Sequence, residues 1–508
     1  MSASPETAPR PGPRPADQTR APLLDAVTRE ARAARHRWHC PGHQGGSRSS
    51  AAMADLLGGD APGGGALAAD VWLDTTTYDR SRRSAEGLAA EAWRAQRAWL
   101  LGNGSSAGNL AWLLGLLGPG DEVVVARDAH ISVLAGLAFC GARPVWVVPE
   151  IHPRLGLPLG VTAPAVTAAL RGNPRARHVV LTSPGYASTG PDLVPVIAAA
   201  RAAGADRVYV DQAWGPHLAF HPGLPPAALD AGADGCVVSV HKTATALSSG
   251  AILLAAARAG DEVAARLEVA VRLTQTTSPL MPLMASVDAA RRDLATGGAD
   301  AVARAVEQAA RLRHRLRRIP GVRALDADAL GLPAHRVDPL KVVVDVRGTG
   351  LTGWQVDRRL RRYGAPAEGA DRDRVYLVVP AVPAEASADS EDALVGALAR
   401  ATGQDGRGRL RSRPAGADPS WAAALSPGAQ VLTPAEARRR AVVTVSRERA
   451  VGRVAAEPVV PYPPGVPVIV PGERIEASTV DVVASLLASG GHVHGCADER
   501  LRTIQVVA

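Results

Sequence analysis

The chain has 508 residues, is 46% apolar, and carries a formal charge of +8 with four cysteines. That length supports two or three domains around a large core. No run of 18 apolar residues and no apolar leader in MSASPETAPRPGPRPADQTR point to a membrane span or to export. The arginines are scattered rather than striped among aromatics, and no nucleic-acid motif accompanies them, so the positive balance reads as a solvated surface. Cys40, Cys140, Cys236 and Cys496 stand far apart in no paired spacing, which fits reduced thiols and a cytoplasmic protein.

Residues 1–35, rich in Pro and Arg, read as a disordered or loosely docked arm. From 36 to about 300, short apolar runs alternate with Ala/Leu-rich helical stretches, the pattern of a mostly parallel sheet wrapped by helices. The predicted strands are EVVVAR (122–127), PVWVV (144–148), HVVLTS (178–183), RVYVDQ (207–212) and GCVVSV (235–240). A long Ala/Arg-rich helix is predicted through about 318. KVVVDV (341–346) and RVYLVV (374–379) then mark a smaller α+β domain over 301–402. Residues 403–427, rich in Gly, Arg and Pro, read as a linker, and 428–508 as a third, C-terminal α+β unit.

Only two of the 57 Lys and Arg residues are lysines, Lys242 and Lys341. Where arginine meets nearly every need for charge, a retained lysine points to amine chemistry: a lysine amine deprotonates and condenses with an aldehyde, and a guanidinium does not. Lys242, in SVHKTATALSSG, lies just past the predicted strand GCVVSV. Lys341, in DPLKVVVDV, reads as an ordinary lysine of a strand. Asp211 falls at the carboxyl end of RVYVDQ, the edge where open α/β sheets bind ligands. In LLGNGSSAGNLAWLL, Gly102, Gly104, Ser105 and Ser106 precede an apolar helix predicted from about Gly108, which makes a possible anion cradle of free N–H groups and hydroxyls. A phosphate site, a buried acid and a lone lysine together are what pyridoxal 5'-phosphate requires. HVHGC (492–496) has no second pair of ligands beside it, and no metal is expected.

The segments HCPGHQGG (39–46), GNGSSAGNL (102–110), RDAHISVLAGLAFCGARPV (127–145), VDQAWGPHLAFHP (210–222), ALDAGADGCVVSVHKTATALS (228–248), TQTTSP (274–279) and GRVAAEPVVPYPPGVPVIVPGERI (452–475) occur in an order and spacing that resembles the Orn/Lys/Arg decarboxylase family. The resemblance is to short members without a separate N-terminal wing domain. It implies the fold type I architecture of pyridoxal phosphate enzymes and a homodimer or an assembly of dimers. By the same resemblance Lys242 matches the lysine bonded to the cofactor, Asp211 the partner of its pyridine nitrogen and His130 the histidine stacked on its ring. Ser105, Ser106, Ser239 and His241 match phosphate-binding positions, Trp214 stands where many members carry histidine, and Thr276 or Thr277 reaches a neighbouring subunit's cofactor. Gln44, Leu280, Met281 and LSSGAILL depart from the family's pattern around the interface and the substrate mouth.

The reaction implied is decarboxylation of arginine, lysine or ornithine. Glu473, in PGERI, is a candidate acid for the substrate's distal cation. The same cofactor set also serves aminotransfer and carbon–carbon cleavage, and a non-catalytic regulatory homologue is the reading from outside enzymology.

Overall fold

Valine-rich and leucine-rich runs of four to seven residues build the centre of the molecule as seven strands. These are β1 (Arg97–Leu101), β2 (Glu122–Ala126), β3 (Arg143–Val147), β4 (Ala176–Thr182), β5 (Arg207–Asp211), β6 (Gly235–Val238) and β7 (Ala251–Ala255). The computed structural model describes residues 16–34, 36–57, 65–382, 388–403, 424–462 and 465–508. Spatial order is β1-β7-β6-β5-β4-β2-β3. Neighbours from β3 to β6 run parallel, while β7 runs antiparallel to both β6 and β1. Each predicted strand up to residue 240 is present within two or three residues. β1 and β7 have no counterpart in the sequence reading. The latter, AILLA, lacks β-branching except at one position, yet every residue in it is buried, and burial on both sheet faces outweighs local propensity.

The helix predicted from Gly108 starts earlier, as Gly104–Leu116, so Ser105 and Ser106 belong to its first turn. It lies flat on the sheet because Gly108 has no side chain: a Cβ there would sit 2.6 Å from Val237 Cγ2 of β6. Asp211 pairs with Val237 across β5 and β6, so the two carboxyl ends are neighbours as the sequence reading requires.

The helix Met281–Leu316 runs 36 residues without interruption, so the boundary expected at 300/301 falls inside a continuous element. It leads to an antiparallel sheet of β8 (Arg323–Leu325), β9 (Lys341–Asp345), β10 (Gly369–Ala370) and β11 (Arg374–Val378) in the order β8-β9-β11-β10. Most of the expected linker lies outside the described residues. The C-terminal unit pairs β12 (Val442–Ser446) with β15 (Thr503–Val507) and β13 (Val460–Tyr462) with β14 (His492–His494). Its own core includes Val459, Ile469, Val483 and Ile504.

Of the two expectations for 1–35, a disordered or a loosely docked arm, the disordered one is corrected where the chain is described. Pro22–Ala33 is a helix with Leu23, Ala26 and Val27 buried. Its amphipathic face is held by a buried ion pair on the long helix. Asp288 Oδ2 accepts from Leu23 N at 2.8 Å, and Arg291, bonded to Asp288 Oδ1 at 2.8 Å, also donates to Gln18 O at 2.9 Å. The Pro/Arg composition concealed three apolar residues at helical spacing. Removing one partner of a buried pair strands the other charge, so Asp288→Ala is expected to lower stability by about 3 kcal/mol or more. Residues 16–34 should then open to protease; denaturant unfolding and limited proteolysis read the two effects, and an unchanged digestion pattern contradicts the docking argument.

Candidate active site

Asp211 is 4% exposed at the end of β5, and donors from two neighbouring elements meet it. Its Oδ2 accepts from Asn109 Nδ2 at 2.8 Å and its Oδ1 from Ala213 N at 3.1 Å. Asn109 Nδ2 also donates to Ser132 Oγ at 2.9 Å, and Asn109 Oδ1 accepts from the Tyr209 hydroxyl at 2.9 Å. Ser132 Oγ lies 2.8 Å from His130 Nδ1, which also accepts from Ser132 N at 3.2 Å. One hydrogen-bonded chain thus runs from Asp211 to His130. His130 is the N-cap of the helix Ile131–Cys140, so its place at a helix start and its place beside Asp211 coincide. Burial lowers its pKa, against the pull of Asp211. Asn109 lies in the quoted GNGSSAGNL run; nothing in the run announced that it would hold Asp211.

Lys242 follows β6 in the one-turn helix Val240–Thr243, whose N-cap is Ser239. Its Nζ stands 4.3 Å from the centroid of the Trp214 ring. Burial lowers the amine's pKa, opposed by the charges of Asp211 and Glu368. Thr243, next in sequence, fixes this turn to the smaller domain: Thr243 O accepts from Ala381 N at 2.6 Å. His217 bridges Thr243 Oγ1 and Asp338 Oδ1, each 3.1 Å from a ring nitrogen.

The reading of Lys341 as ordinary is corrected. It is 2% exposed, and its Nζ lies 3.3 Å from the Trp214 centroid and 3.8 Å from that of Tyr186. Both lysines of the chain therefore meet at one indole. Tyr186, on the loop after β4, also packs edge-on to Trp214 and Tyr376.

The remaining predicted residues divide in two. Ser239 is fully buried, with an Oγ that lacks a hydrogen-bond partner. His241 Nδ1 lies 3.0 Å from Gly250 O, and its pKa is lowered by burial. Ser105 is half-buried and Ser106 exposed, both in the first turn that follows Gly104 at φ +77°. Thr276 and Thr277 are exposed on the turn between two helices, where Thr276 Oγ1 accepts from Ser278 N at 3.1 Å. Among the described residues no group of three or more His, Cys, Asp or Glu could hold a metal ion, and no helix is long and apolar enough to cross a membrane.

Residues 21–331 match the major domain of the Orn/Lys/Arg decarboxylases, and residues 422–493 match their C-terminal domain. The chain belongs to the Orn/Lys/Arg decarboxylase family. It is 30% identical to the arginine decarboxylase of Halalkalibacterium halodurans over 96% of this chain and 98% of that one. It is 29% identical to the arginine decarboxylase of Bacillus subtilis over the same shares. In three dimensions it resembles the Francisella novicida lysine decarboxylase, with a TM-score of 0.78, 18% identity, and coverage of 96% of this chain and 81% of that chain. The Escherichia coli constitutive lysine decarboxylase gives a TM-score of 0.76 at 20% identity, over 96% and 82% of the two chains. The Orn/Lys/Arg decarboxylase architecture is the fold type I α/β architecture expected from the sequence.

In this family member the C-terminal domain closes on the site through Arg127, which is 1% exposed just past β2. Its guanidinium donates to Pro467 O at 2.5 Å, Val468 O at 3.1 Å and Glu473 Oε2 at 3.2 Å, and stacks 5.0 Å from the Trp146 centroid. Gly465 O accepts from Ile131 N at 3.2 Å, which lays the C-terminal segment beside His130. The structure thus gives Glu473 to Arg127; its other oxygen, Oε1, is buried without a hydrogen-bond partner.

Burial pushes the Glu473 carboxyl up from an ordinary 4.5 to about 7, against the pull of Arg127. The native state then binds more protons than the unfolded chain between those values. The group's contribution to stability is full below 4.5 and is lost as pH rises through about 7. Unfolding free energies measured from pH 5 to 8 should fall more steeply for the parent than for Glu473→Gln, which stays neutral; equal slopes would sink this assignment.

Proposed function

We propose that this chain is a pyridoxal 5'-phosphate-dependent decarboxylase of a basic amino acid, that its substrate is arginine rather than lysine or ornithine, and that its products are agmatine and carbon dioxide. One observation carries the reading: Lys242 and Asp211 leave adjacent strands at the same sheet edge, and the buried Ser239 hydroxyl between them in sequence has no protein partner. An orphaned donor there fits a phosphate ligand, since buried polar groups are otherwise paired. Arginine is favoured among the substrates because relatives aligned over 96% of the chain at 29–30% identity bear that name.

When bound, the cofactor supplies an electron-accepting pyridinium ring that takes up the electron pair left by the departing carboxylate. Lys242 would hold the cofactor's aldehyde carbon, with an amine that burial keeps closer to the neutral, nucleophilic form. Asp211 would keep the ring nitrogen protonated, its carboxylate oriented by Asn109 and Ala213. His130 would lie against the ring, and Ser105, Ser106, Ser239 and His241 would bind the phosphate. Trp214 and Tyr186 exclude water on the side of Lys242. Glu368, whose charge reaches both lysines, is the acid for the substrate's distal cation. The four free cysteines support a cytoplasmic setting.

Carbon dioxide release measured with arginine, lysine and ornithine tests the substrate, and arginine should give the highest kcat/KM. Lys242→Arg should lose the cofactor's visible absorption band and all turnover, because it keeps the charge and loses the condensing amine. Parent-like turnover in Lys242→Arg, or release from none of the three amino acids, overturns the reading.

The active unit is a homodimer or an assembly of dimers in which Thr276 and Thr277, exposed on their own chain, complete the partner's site. A Lys242→Ala chain mixed with a Thr276→Ala/Thr277→Ala chain should recover activity, since one site of each mixed dimer then carries neither defect. No recovery after demonstrated subunit exchange, or a fully active monomer, contradicts shared sites.

A further inference from the structure

The chain has only two lysines, and their amines converge on one ring. Lys341 enters from β9 of the smaller domain and Lys242 from the turn after β6, yet their Nζ atoms lie 3.3 Å and 4.3 Å from the Trp214 centroid. Lys341 is 2% exposed, and its Nζ has no hydrogen-bond partner. An ammonium over aromatic faces serves in many proteins as a packing device, which here predicts that arginine would serve as well. A buried amine without an acceptor, at the same ring as a second amine, has a stronger reason to give up its proton. Two protonated amines against one ring repel each other, and more strongly where both are buried.

We propose that Lys341 is a positioning residue for Lys242, and that the two amines hold one proton between them. Lys242 must be neutral to attack a carbonyl carbon. When it gives up its proton, an N–H bond breaks at Lys242 and one forms at Lys341; when Lys242 is released the transfer reverses, with no change in the net charge of the site. Around Lys242 the facing charged groups are Asp211, Glu368, His130 and His241. Around Lys341 they are Asp338 and Glu368, and Arg313 donates to its backbone oxygen at 3.1 Å. Asp338 is already committed to His217 and to Leu340 N, at 3.1 Å and 2.9 Å. Burial first, then the charge of Lys242, hold the Lys341 amine well below its ordinary 10.5, while Glu368 and Asp338 pull the other way.

The catalytic consequence rests on Lys242 being the covalent residue; the proton sharing does not, and it is read without cofactor. Full-length cofactor-free protein grown on lysine labelled with carbon-13 at Cε gives two side-chain resonances, one per lysine. In the parent both should titrate in the same two steps, separated by about one pH unit or more. Lys242→Ala should leave Lys341 with a single step, raised by about one unit. Lys341→Met should leave Lys242 with a single step, and Lys341→Arg, a charge that cannot be surrendered, should lower that step by about one unit relative to the methionine variant. The proposal is overturned by independent single-step curves in the parent, or by a Lys242 step at the same pH in the methionine and arginine variants. Should both Lys341 variants fail to fold, an unchanged Lys341 midpoint in Lys242→Ala overturns it alone. Turnover by Lys242→Arg would defeat the proposed function while leaving coupled titration intact, so the two ideas fail separately.

Discussion

A carboxylate buried at the end of a central strand has to be met by donors, and the architecture of the sheet edge follows from meeting Asp211. Both hydrogens of the Asn109 amide are used, one on Asp211 and one on Ser132, while its carbonyl takes the Tyr209 hydroxyl. These contacts fix the helices Gly104–Leu116 and Ile131–Cys140 relative to β5. Helix placement in turn depends on Gly108, where a larger residue would collide with β6. An acid at this position is costly without such a shell, and with it the carboxylate becomes a fixed electrostatic reference for everything nearby.

The amines stand opposite that reference. Lys242 is held by a turn whose Ser239 cap is buried and whose Thr243 is bonded to the smaller domain. Lys341 arrives on a strand of that domain, and the His217–Asp338 link ties its approach to the loop after β5. The large and small domains therefore meet through polar contacts at the place where charge is most expensive to bury. Arg127 performs the same service for the C-terminal domain, drawing in two carbonyls and Glu473 and bringing Gly465 beside His130. Three separate stretches of chain converge there, anchored by Thr243, by the His217–Asp338 link and by Arg127.

Much of this was legible because it is local. Valine-rich runs mark five strands of the large sheet, and the strand-end rule places Asp211 and Lys242 side by side. The resemblance supplied the family, which the domain matches and the full-length relatives then showed. The strands AILLA and RAWLL escaped notice because their residue types favour no one state until the sheet buries them. The N-terminal helix escaped because proline and arginine dominate its surroundings, while its hold on the fold comes from Asp288 and Arg291, more than 250 residues away.

The sequence by itself determined the chemistry on offer: a chain nearly free of lysine that keeps one after a buried strand, an acid at the neighbouring strand's end, and small residues at a helix start. Hydrophobic period and residue identity carry that information within windows of about ten residues. Tertiary structure alone decided the partners. Lys341 looked ordinary within its own strand, and only packing against Trp214 and Tyr186 made it the second amine of the site. Glu473 looked free for a substrate, and only the docking of the C-terminal domain gave it to Arg127. A charge's role is set by which groups share its low-dielectric surroundings, and those groups are neighbours in space rather than along the chain.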